Sequence, residues 1–80
     1  MERTSSNKSN PDLEALGTAV RTARKEKGLS QEALADHAGI DRSHMGRIER
    51  GERNVTILNL LKVSSALECR VSDLFIRAGL

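Results

Sequence analysis

The sequence predicts an all-α fold, a compact five-helix domain, and three observations carry that prediction. Apolar residues recur at three- and four-residue spacing in five separate stretches. Helix-capping residues stand ahead of those stretches, and glycines punctuate the ends of several of them. The connections between them are short, and none carries a strand signal.

Taken in order, residues 1–10 (MERTSSNKSN) are rich in Ser and Asn, hold no periodic apolar residue, and read as a disordered arm ahead of a folded domain over 11–80. Asn10-Pro11-Asp12 opens the first helix. Asn caps it, Pro takes the first position, where a missing N–H costs nothing, and acids sit at the positive end. This helix runs to about Lys27 with Leu13, Leu16, Val20 and Ala23 on one face, and Gly28 stops it. Ser30 caps a second helix, Gln31 to Ala38, whose inward residues are Leu34, Ala35 and Ala38. Gly39 makes a turn, Ile40 plugs the core, and Asp41 caps a third helix from Arg42 to about Arg50, ended by Gly51. After the loop Glu52-Arg53-Asn54-Val55, Thr56 caps a fourth helix with Ile57, Leu60, Val63, Ser64 and Leu67 at core spacing. Ser72 is read as the cap of a last short helix carrying Leu74 and Phe75.

Eighty residues allow one domain with a small core, and with Phe75 the only aromatic that core is aliphatic. No apolar run approaches a membrane span, and the first residues do not read as a signal peptide. The single cysteine, Cys69, excludes an internal disulfide, fits a reducing cytoplasm and reads as an inert core thiol. His37 and His44 lack Cys, Asp or Glu partners at ligand spacing on a shared face, so no metal is expected. The acids are scattered and there is no Gly-rich phosphate loop, so neither an enzyme nor a cofactor site is expected. A formal net charge of +2 is compatible with a nucleic acid partner without establishing one.

The informative stretch is Gln31 to Arg50. Two short helices that cross steeply through a three- or four-residue turn need a small residue at their contact, which Ala35 supplies. They need a residue content at positive φ in the turn, and Gly39 is one. They need apolar side chains filling the angle, and Leu34, Ile40, Met45 and Ile48 are spaced for it. With Met45 and Ile48 turned inward, Arg42, Ser43, Gly46, Arg47 and Arg50 fall on the opposite face. Arginines and a hydroxyl on one exposed face suit base edges in the DNA major groove, where Arg forms a bidentate pair with guanine O6 and N7. Arg50 at the end of that helix and Arg53 and Asn54 after it are placed to grip phosphates on its far side.

The run LSQEALADHAGIDRSHMGRIERGERNVTILNLLKVSSAL resembles the phage-repressor, or Xre-type, helix-turn-helix family, with the resemblance extending from about Leu16 to Phe75. DRSHMGRIERGERNVT has the look of the controller proteins of restriction–modification systems. The resemblance implies a five-helix domain that binds double-stranded operator DNA as a two-fold homodimer and regulates transcription, with RNA polymerase a further partner it admits. It assigns base contacts to Arg42, Ser43 and Arg47, with His44 a further candidate, and a phosphate contact to Gln31. It pairs Glu49 with Arg24 as a buried ion pair that pins the third helix to the first. Arginines where many phage repressors carry Gln imply guanine-containing half-sites. Glu68 stands where the family prefers Gly, which implies a strained end to the fourth helix.

Leftover apolar residues point to self-association. Leu58 and Leu61 lie off the core face of the fourth helix, and Ile76 and Leu80 follow Phe75 with nothing left in the chain to cover them. A two-fold dimer on these residues sets two recognition helices about 34 Å apart, one turn of DNA. Folding back of the C-terminal residues as extra core is the alternative. A different class of function also stays open: an antitoxin-type protein-interaction module built on the same fold.

Overall fold

The computed structural model describes residues 10–80, so the arm read over residues 1–10 lies outside the described residues except for Asn10. The chain forms α1 (Pro11–Glu26), α2 (Gln31–Ala38), α3 (Arg42–Arg50), α4 (Ile57–Ala66) and α5 (Val71–Ala78). Side chains cap the first four: Asn10 on α1, Ser30 on α2, Asp41 on α3 and Thr56 on α4 each accept from N–H groups of the opening turn.

The longest helix organises the rest. α1 packs against α3 on one side and α5 on another, while α2 packs against both α3 and α4. Leu16, Val20 and Ala23 of α1 join Leu34, Met45, Leu60 and Val63 in one aliphatic cluster, against which Ile40 and Phe75 pack partly buried. Leu13 is only half-buried, whereas Gly17 and Ala19 are buried, because α1 serves three neighbours and not one. A side chain at Gly17 would fall on the backbone carbonyls of Ile48 and Glu49. This glycine is what lets α1 and α3 touch backbone to backbone. Ser64, buried on α4, satisfies its hydroxyl by donating to the Leu61 carbonyl at 3.0 Å.

Two expectations are corrected here. Ile57 is 66% exposed and takes no part in the core, because it is the first residue of α4 and the packed face begins one turn later at Leu60. Ser72 does not cap α5 but lies inside it. The Asp73 carboxylate reaches back to accept from the Arg70 N–H at 3.0 Å, closing the first turn two residues earlier and making Val71 the first helical residue.

At the end of α4, Glu68 adopts φ +59°, the left-handed conformation that disfavours any side chain with a Cβ. Its carboxylate accepts from Lys27 Nζ at 2.7 Å across an exposed surface, a contact that offsets little of that strain. Glu68→Gly is therefore expected to raise the melting temperature by roughly 4 °C. A lowered midpoint in thermal unfolding would mean that the Lys27 contact outweighs the backbone strain.

Candidate nucleic-acid interface

The turn between α2 and α3 is set by Gly39, at φ +69°, where the chain leaves α2 in the left-handed region. The Ile40 N–H returns to the Ala35 carbonyl at 2.9 Å and carries Ile40 onto the core edge. Asp41 then opens α3, accepting from the N–H groups of Ser43 and His44 and from the Ser43 hydroxyl. Foremost the hydroxyl, then these N–H groups, hold the Asp41 carboxyl below its ordinary range, so the cap stays charged.

The inner side of α3 is fixed by Met45 and Ile48 in the core and by a buried ion pair to α1. Arg24 Nε donates to Glu49 Oε2 at 2.7 Å and Nη2 donates to Oε1 at 3.1 Å, while Nη1 donates to the Leu29 carbonyl at 2.9 Å. Gln31 Nε2 adds a third donor to the same carboxylate, at 3.0 Å from Glu49 Oε1. One acid thus ties α1, α2 and α3 together where they meet. Gln31, the residue given a phosphate role by resemblance, is held from behind by this network and is only partly buried.

The outer side of α3 presents Arg42, Ser43, Arg47 and Arg50, all exposed, around a shallow depression that Gln31 and Gly46 complete. Gly46 lies on this outer side, as its helical phase predicts, but it is buried there beneath neighbouring side chains. A Cβ there would lie 3.0 Å from Arg50 Nη1 and 3.3 Å from Gln31 Oε1, so side chains of α2 and α3 close over it. His44, the further candidate for a base contact, lies at the edge of this face. It is half-buried, and its Nε2 is shut off from solvent with no hydrogen-bond partner. It shares the flank of Ile48, four residues on, so in this conformation it does not present that edge to a groove. Arg53 and Asn54 are exposed in the loop after Gly51. Arg50 Nε meets Glu52 Oε2 at 3.0 Å, an exposed pair beside the arginine face that sequence reading did not single out.

Away from this face, Cys69 is half-buried, less than the core thiol expected. Burial first, and the Asp73 carboxylate second, push its thiol up, so it stays protonated and poorly nucleophilic. Among the described residues no three His, Cys, Asp or Glu side chains could hold a metal ion, and no helix is long and apolar enough to cross a membrane. Leu58, Leu61, Ile76 and Leu80 are all exposed, by 62, 46, 74 and 54% respectively, and Ile57 adds a fifth large aliphatic side chain.

Two short helices joined through a left-handed glycine, the second pinned inward and armed outward with arginines, define a DNA-binding transcriptional regulator. The chain belongs to the helix-turn-helix family, Xre type, which it matches over residues 20–74. Within that family it is similar to control proteins of restriction–modification systems. It is 43% identical over 67 residues to control protein C.SmaI of Serratia marcescens, covering 84% of this chain and 80% of that protein. The crystal structure of the restriction–modification controller protein C.AhdI from Aeromonas hydrophila superimposes with a TM-score of 0.80 at 46% identity, covering 81% of this chain and 98% of that one. SinR, a Bacillus subtilis regulator whose structure is known in complex with DNA, matches with a TM-score of 0.71 at 40% identity, over 74% of this chain and 95% of that one.

Proposed function

We propose that this protein is the autoregulatory controller of a restriction–modification system, binding a pseudo-palindromic operator as a two-fold dimer with α3 in the major groove. The observation that carries this reading is the outer face of α3, where Arg42, Arg47 and Arg50 stand exposed on a helix whose inner side is fixed by the core and by Glu49. Fixing the helix matters because a bidentate arginine–guanine pair is geometrically demanding. Arg42 and Arg47 read base edges. Ser43, whose hydroxyl donates to Asp41, reads as an acceptor toward an exocyclic amino group. Gln31, Arg50, Arg53 and Asn54 hold phosphates on either side, with the N-terminus of α2 adding backbone N–H groups. His44 is left out of the base-reading set because its Nε2 is closed off from solvent.

Selection of bound sequences from a random duplex pool tests the proposal as a whole. A guanine-containing half-site repeated with two-fold symmetry is the expected product. A protein that enriches nothing and ignores random duplex at low salt would pass this fold to a protein-interaction role. Arg47→Ala is expected to weaken the selected site by about 1–3 kcal/mol and random DNA much less. Equal losses on both would reassign Arg47 to phosphate contact.

A further inference from the structure

We infer that Glu52 restrains DNA binding: its carboxylate holds Arg50 in the place of a DNA phosphate and so limits the sequence-independent part of the affinity. This rests on the DNA-binding reading above and goes beyond it, since it assigns a role to an acid beside the arginine face of α3. Between Arg47 and Arg53 the chain carries two acids, Glu49 and Glu52. Glu49 is buried and committed to Arg24, whereas Glu52 is exposed and its carboxylate lies 3.0 Å from Arg50 Nε. Both side chains of the pair remain about half accessible, at 56% for Arg50 and 46% for Glu52, so DNA can reach and exchange the contact.

Two features argue that this acid is held in place, and a third that it does not serve the helix. The Glu52 N–H donates to the Arg47 carbonyl at 3.0 Å, which fixes its backbone onto the last turn of α3. Gly51, just before it, lies so close to the Glu14 backbone that a Cβ would come within 2.6 Å of Glu14 Cα, so the segment is braced against α1. Finally, an acid at a helix C-terminus opposes the helix dipole, so the position does not serve the stability of α3. The hydrogen bond from Arg50 and then the charges of Arg50 and Arg47 keep its carboxyl below the usual range, so it is ionised wherever the protein meets DNA. A phosphate approaching Arg50 must displace this carboxylate and lie beside a like charge. Because phosphate contacts are made to any duplex, the restraint acts on operator and random DNA alike.

The test is Glu52→Gln, Arg50→Gln and the double substitution, each titrated against a random-sequence duplex and the selected operator over a range of salt. Glu52→Gln is expected to tighten both duplexes by about 5- to 10-fold near 0.1 M salt and to steepen the log affinity–log salt slope by about 0.9. On the Arg50→Gln background the same change is expected to give less than about 2-fold, because the phosphate contact it would release is gone. A gain that persists in full without Arg50 overturns the restraint in favour of a diffuse charge effect. Weaker binding by Glu52→Gln overturns it in favour of Glu52 preparing Arg50 for its contact. If the unsubstituted protein binds neither duplex, the DNA-binding reading falls too; if it binds and Glu52→Gln changes nothing, only this inference falls.

Discussion

Glu49→Ala is expected to lower stability by about 3–5 kcal/mol, the characteristic loss when one member of a buried ion pair is removed. The Glu49 side chain is 2% exposed and that of Arg24 10%, so truncation leaves a guanidinium with little access to water. Arg24 would keep its contact to the Leu29 carbonyl, but its Nε and Nη2 donors would lose their acceptors, and Gln31 would lose its own. A domain of this size has roughly 4–12 kcal/mol in total, so the substituted protein should be largely unfolded or melt well below the parent. A double substitution, Glu49→Leu with Arg24→Met, should recover much of the loss, because an apolar pair leaves no stranded charge. Thermal unfolding of the two variants beside the parent checks this. An unchanged melting temperature for Glu49→Ala would show that the pair contributes nothing, and no recovery in the double variant would place the effect in packing instead.

The same corner of the molecule shows what sequence could and could not reveal. Helix boundaries were legible because capping is local: Asn10, Ser30, Asp41 and Thr56 each bond within three residues, so the signal lies in a short window. The arginine face of α3 was legible because the inward Met45 and Ile48 fix the helix phase. What failed depends on other elements. Helical phase puts Gly46 on the outer side correctly but does not reveal that Gln31 from α2 and Arg50 cover it there. Gly17 carried no signal in the sequence, and only the approach of the α3 backbone gives it a purpose. Ile57 had the right spacing for the core but lies beyond the packed stretch of α4. Ser72 had the right chemistry for a cap, but Asp73 competed from one residue further on, a rivalry that propensity does not decide.

Ile76→Asp together with Leu80→Asp is expected to yield a folded monomer that has lost operator binding. The two side chains are 74 and 54% exposed, while the neighbouring Leu74 is 1% exposed, so charge at the former positions should leave the core untouched. Exposed Ile57, Leu58 and Leu61 on α4 extend the aliphatic surface available to a second copy, and α4 packs against α5 within the domain. Large exposed apolar residues on so small a domain are characteristic of an interaction surface. One recognition helix reads only a few base pairs, and specific sites must exceed random DNA by roughly 10³-fold or more to be found in a genome. A two-fold dimer doubles the contacts, so losing it should reduce operator affinity by about 10³-fold toward the random-DNA level while the salt-dependent weak binding persists. On the proposed controller role, a small interface would couple dimerisation to protein concentration, and operator binding is then expected to be sigmoidal in protein. Sedimentation of the double variant decides the matter: a species that still runs as a dimer places the interface on another surface, and a monomer with full operator affinity removes the dimer from the mechanism.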